Sequence, residues 1–189
     1  FFTSVFSAYQ GIMFMAASAL ILFSKVATVI LLDDSYYDSW QYIPVLAVAM
    51  AYSALVTFMG SVYLVKKKSV MSFVTATIGA LVNVVLNFLL IPHFSAMGAA
   101  IATFASYFTV MIIRSINTKK YVPFNMGIIR LAFNTVAVVV QATVMVLEIK
   151  YWIAIEIVMF ATVLAVNGRD ILRGVIGMLK KFKKKSKKI

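Results

Sequence analysis

The sequence contains no cysteine, a single histidine, and only six acidic residues against eighteen lysines and arginines. Without cysteine there is no disulfide framework and no thiolate metal site, so cysteine usage indicates no redox compartment. Charged residues make up 13% of the chain, about half the share of an average soluble domain, which excludes that class. No nucleophile sits beside a base, no metal-ligand cluster recurs, and no glycine loop has the spacing that cradles a phosphate. These absences argue against an enzyme and imply neither a cofactor nor a metal.

What fills the chain instead is apolar sequence, 63% of all residues. It falls into six uncharged or nearly uncharged runs, at about 10 to 32, 42 to 65, 70 to 91, 96 to 116, 127 to 147 and 151 to 167. Each has roughly the 17 to 25 residues that a helix needs to cross a hydrocarbon core of about 30 Å. The expected fold is an all-α polytopic membrane helix bundle. The connectors are too short to form a soluble domain. Pro92 is expected to close the third run, with about four polar or small residues turning the chain into the fourth. No basic leader precedes the first apolar run, and the chain opens on Phe-Phe. It therefore reads as the carboxyl-terminal part of a longer protein.

Basic residues alternate between connectors. Lys66 to Lys68 follow the second run, Arg114, Lys119 and Lys120 mark the end of the fourth, and nine basic residues follow position 167. The other connectors carry Asp33, Asp34 and Asp38, then His93, then Glu148 balanced by Lys150. By the positive-inside rule, both termini are expected in the cytoplasm. Residues 168–189 read as a basic amphipathic cytoplasmic tail, with Ile171, Leu172, Val175, Ile176, Leu179 and Phe182 at helical spacing. Such a tail either anchors on anionic membrane lipids or serves only as a topology signal. A charge distribution of this kind gives no reason to invoke nucleic acid.

Three stretches are familiar. The helix end NVVLNFLLIP, the short loop and MGAAIATFASY that follow it, and the upstream DDSYYDSWQYIPVLAVAMAYSAL resemble the polysaccharide biosynthesis, or O-antigen (oligosaccharide), flippase family. That family belongs to the MATE-like multidrug/oligosaccharidyl-lipid/polysaccharide superfamily. The resemblance covers residues 5 to 120. It departs from the family where LLDDSYY replaces a usual Phe-Gly before the acidic loop, and where Phe94-Ser95-Ala96 replaces a common glycine. The resemblance implies two lobes of helices around a central cavity, this chain supplying most of the second and the amino-terminal lobe lying outside it. It also implies a lipid-linked oligosaccharide as cargo and a bacterial inner membrane as the location.

A charge within hydrocarbon costs roughly 2.5–3.5 kcal/mol on insertion scales, so each one is a candidate for function. Lys25 continues a small, polar face of Ser7, Gly11 and Ser18 in the first run, where it contacts an anionic ligand, snorkels or forms a structural ion pair. Glu156 lies at similar depth in the sixth run, either pairing with Lys25 as a coupling switch or snorkelling outward. In the fifth run Arg130, Asn134, Gln141 and Glu148 fall within about 40° of one helix face. That stripe faces either water or a partner lobe, while Arg130 alone could reach headgroups. In the third run Thr75, Gly79, Asn83 and Asn87 repeat every four residues, a pattern that serves helix packing or substrate hydroxyls equally.

The resulting expectation is a transporter that flips a polyprenyl-pyrophosphate-linked oligosaccharide by alternating access. Lys25 and Arg130 would hold the pyrophosphate, and Asn83, Asn87, Asn134 and Gln141 the sugar. A drug or metabolite antiporter of the same superfamily is one alternative. Another is a membrane glycosyltransferase binding a divalent ion through Asp33, Asp34 and Asp38.

Overall fold

The computed structural model describes the backbone of residues 2–186 and the side chains of residues 2–173. Among the described residues every regular element is helical. The order is α1 (Phe2–Leu22), α2 (Ser24–Leu31), a 3-10 segment (Asp34–Gln41), α3 (Ile43–Val65), α4 (Ser69–Thr118), α5 (Ile128–Val146) and α6 (Trp152–Ser186). Five of these helices are long and apolar enough to cross a membrane. Their outward faces are unusually apolar for water: Phe73 is 72% exposed, Phe88 77% and Ile129 88%. The chain is a transmembrane helix bundle.

The helix α4 accounts for two of the six expected spans. Its 50 residues would make a straight rod of about 75 Å, more than twice a hydrocarbon core. The rod is broken at Ser95, whose φ of 50° and ψ of −131° are non-helical. Beyond it the chain runs back along itself. Arg114 meets Thr75 and Ser72 across the two arms, a side chain on Gly79 would run into Val110, and one on Gly98 would lie 2.5 Å from the Leu90 carbonyl oxygen. The turn of about four residues expected after Pro92 is therefore a one-residue reversal at Ser95, with Gly98 packed on backbone. Pro92, expected to close the first arm, lies inside the helix, because the two residues after it remain helical before the break.

The amino-terminal boundary also differs from the expected one. α1 begins at Phe2, not near residue 10, because Thr3, Ser4, Ser7 and Gln10 lower the local hydropathy without breaking the helix. Phe6 and Gln10 are completely buried. α6 continues without interruption to Ser186, so its backbone joins the sixth span to the tail. The lipid anchor expected of Lys180 to Lys188 lies outside the described side chains.

Packing joins α3 to α4 and brings α1 against α3, α5 and α6. Aromatic side chains fill the contacts: Phe6 meets Phe58 and Phe124 with ring centroids 5.3 Å apart, tilted on the first and edge-on to the second, and Tyr52 meets Phe104 and Phe108 at 5.4 Å. The Tyr52 hydroxyl hydrogen-bonds Thr135 Oγ1 at 2.6 Å, tying α3 to α5.

Ser95 holds a backbone conformation that favours glycine, at a strain of order 1–3 kcal/mol, of which glycine's added chain entropy would return about 0.5–1. Ser95→Gly is therefore expected to raise the detergent melting temperature, by about 1 kcal/mol of stability. Gly98→Ala should lower it, by roughly 1–3 kcal/mol, because a backbone carbonyl cannot yield to the new methyl. Thermal melts of the three proteins check both directions.

Candidate functional site

Two faces noted in the sequence meet along one seam, buried at its middle and partly exposed at its ends. Ser7, Gly11, Ser18 and Lys25 on α1 and α2 have the same spacing as Arg130, Asn134, Gln141 and Glu148 on and just after α5. In the fold they run parallel, side by side, and three contacts join residues 123 positions apart: Ser7 with Arg130, Ser18 with Gln141, and Lys25 with Glu148. α6 runs antiparallel against both and contributes at every level, with a polar group at the first three and the Trp152 ring at the fourth. The outcome is a ladder of four polar rungs along the seam of α1, α5 and α6.

At the first rung Arg130 forms an ion pair with Asp170 and donates to the Ser7 carbonyl at 2.9 Å. Its outer side borders a cavity of about 680 Å³ with Gly127 and Phe133. At the second, Asn134 and Asn167 exchange reciprocal amide hydrogen bonds of 2.9 and 2.8 Å. Gly11 leaves them room, since a β-carbon there would lie 3.1 Å from the Asn167 side chain. At the third, Ser18 Oγ donates to Gln141 Oε1 at 2.6 Å and Gln141 Nε2 donates to Glu156 Oε2 at 2.8 Å. All three residues are fully buried, and Glu156 Oε1 has no partner.

The fourth rung closes the ladder with charge. Lys25 pairs with Glu148 and lies over both tryptophans of the chain, 4.2 Å from the Trp40 ring centroid and 4.6 Å from that of Trp152. Glu148 reaches this position from the end of α5, where it adopts a left-handed φ of 46° and Ile149 N–H closes back on the Val144 carbonyl. A glycine is usual in that capping position. Here the carboxylate is retained and directed at Lys25.

These contacts correct three expectations. Lys25 does not meet Glu156, because Glu148 lies one rung nearer and takes its ammonium. Glu156 does not snorkel: it points inward, where Gln141 offers the donor that hydrocarbon cannot. Arg130 is occupied by Asp170 rather than reaching the headgroups. Asn83 and Asn87 lie apart from the ladder, bonded to each other along the first arm of α4 at 2.9 Å. Asn83 lines a separate cavity of about 450 Å³ with Arg114. Asp33 caps the 3-10 segment, and its hydrogen bonds from the Ser35 hydroxyl and amide hold its carboxyl below the usual carboxylate range.

Sequence reasoning missed Asn167, Asp170 and Arg114. Asn167 and Asp170 stand eleven and fourteen positions beyond Glu156, within about 40° of its face at 100° per residue, a periodicity that could have found them. Arg114 was read as a marker of sidedness, yet it is 6% exposed. Among the described residues no group of three or more histidines, cysteines or acids is placed to hold a metal ion. A scan against family models and searches of curated proteins and of solved structures found nothing that matches this chain.

Because Gln141 serves two partners, Gln141→Leu leaves a buried carboxyl and a buried hydroxyl unmet and should destabilise the bundle by roughly 3 kcal/mol. Adding Glu156→Leu should recover part of that loss, an interaction that a double-mutant cycle in detergent measures. Since both tryptophans face Lys25, Lys25→Met should change the tryptophan emission spectrum of the folded protein, whereas Lys150→Met should leave it unaltered.

Proposed function

We propose that this chain is most of the second lobe of a transporter that flips a polyprenyl-pyrophosphate-linked oligosaccharide across the bacterial inner membrane. The observation that supports this reading best is the polar ladder. Besides fixing helix register, such rungs give a lobe that rocks between two states polar contacts that can change partners, above all the ion pairs at the two partly exposed ends. In this reading Arg130, at the edge of its cavity, exchanges Asp170 for a phosphate oxygen, and Lys25 does the same with Glu148. Asn134 and Gln141 in the ladder, and Asn83 and Asn87 on α4, offer amides to sugar hydroxyls. The carboxyl terminus, with its run of lysines, lies in the cytoplasm beside anionic lipids. The resemblance of the loop and hairpin sequences to oligosaccharide flippases gives the cargo its chemical class.

One observation favours the antiporter reading: Glu156 is a wholly buried carboxyl with one oxygen unbonded, the kind of group that a coupling ion or proton engages. The two readings part at the cargo. Deletion of the full-length gene should cause lipid-linked oligosaccharide to accumulate on the cytoplasmic leaflet, and re-expression should clear it. Gln141→Leu at normal membrane abundance should fail to clear it. No accumulation on deletion would contradict the flippase and leave the antiporter.

A further inference from the structure

Arg114 is the one buried cation of the bundle that no carboxylate accompanies among the described residues. It lies one turn from the end of α4, where Nε donates to Thr75 Oγ1 at 2.9 Å, Nη1 to the Val56 carbonyl at 2.7 Å and Nη2 to the Ser72 carbonyl at 3.2 Å. A guanidinium has five N–H donors, so two remain unspent. All three acceptors are neutral. The surrounding sequence has no acid to give, because between Asp38 and Glu148 there is neither aspartate nor glutamate.

The site is nevertheless built to hold this side chain. Gly60 on α3 leaves the space, since a β-carbon there would lie 2.5 Å from Nη1. The Tyr63 ring lies 5.8 Å from the guanidinium carbon, and its fully buried hydroxyl is a second donor without a partner. Arg114 also lines the cavity of about 450 Å³ between α3 and the two arms of α4, together with Thr103, Ser106 and Tyr107. Exposed Lys66, Lys67 and Lys68 and Lys119 and Lys120 stand at the same end of these helices.

A charge taken out of water without a counter-ion is costly, and a guanidinium matches a phosphate in shape and charge. We infer that the cavity between α3 and the hairpin of α4 binds the phosphate of an anionic phospholipid, with Arg114 as its principal ligand. The headgroup supplies the missing negative charge, the lysines at that end add a diffuse attraction, and the acyl chains lie along the exposed apolar faces of the two arms. The inference depends on the bundle spanning a membrane and does not depend on the cargo proposed above.

The test is native mass spectrometry of the delipidated protein titrated with phosphatidylglycerol or phosphatidylcholine. It is run at about 0.5 M salt so that lipid attracted only by the lysine-rich tail is screened away. Arg114→Gln removes the cation, and Ala80→Phe fills the cavity from its exposed wall without touching Arg114. The wild type should retain one phosphatidylglycerol at least tenfold more tightly than phosphatidylcholine. Both variants should lose that preference while Ala80→Phe keeps the wild-type melting temperature. Equal retention of the two lipids, or an undiminished preference in Ala80→Phe, would overturn the site. Stabilisation by inorganic phosphate alone, equal to that by phosphatidylglycerol, would overturn the assignment to a lipid.

Discussion

Hydrocarbon offers no hydrogen-bond partner, so a polar side chain within it has to be met by another part of the protein. The arrangement of α1, α5 and α6 follows from that constraint. Each polar residue on the inner face of α5 is answered at its own level, by a carbonyl and a carboxylate at Arg130, by an amide at Asn134, by a hydroxyl and a carboxyl at Gln141 and by an ammonium at Glu148. Shifting one helix against another by a turn would leave several of these groups unmet at once. The ladder therefore fixes register in a setting where apolar contacts alone discriminate weakly, since lipid tails are as apolar as leucine.

The same rule explains the exceptions. Glu156 keeps one oxygen without a partner and Arg114 keeps two donors unspent, one in the ladder and the other behind α3. The two places differ in access. Glu156 is sealed among three helices, whereas Arg114 lines a cavity near a helix end.

Much of this was legible beforehand because the relevant signals are local. Run length located the spans, and the hairpin at residues 92 to 96 followed from a proline beside a small-residue helix, although the reversal itself falls on Ser95. The polar faces of α1 and α5 emerged from periodicity alone. Their pairing did not, even though identical spacings of four, seven and seven residues in both were present to be compared. The Lys25–Glu156 alternative fails because equal depth along two helices does not give their register. Glu148 was counted as a balanced loop charge because its left-handed turn back toward Lys25 is a property of the folded chain end. Arg114 was missed since a basic residue four positions from a helix end looks the same in sequence whether it faces headgroups or is buried against Gly60.

The parallel register of α1 with α5 is open to direct measurement, since residues 1–189 contain no cysteine of their own. Pairs of cysteines would be introduced into the full chain in membranes and treated with a short thiol-to-thiol linker. Ser18→Cys with Gln141→Cys and Lys25→Cys with Glu148→Cys should cross-link efficiently, and the off-register pair Ser18→Cys with Glu148→Cys should not. Cross-linking of the off-register pair, or of neither matched pair in folded protein, would contradict that register.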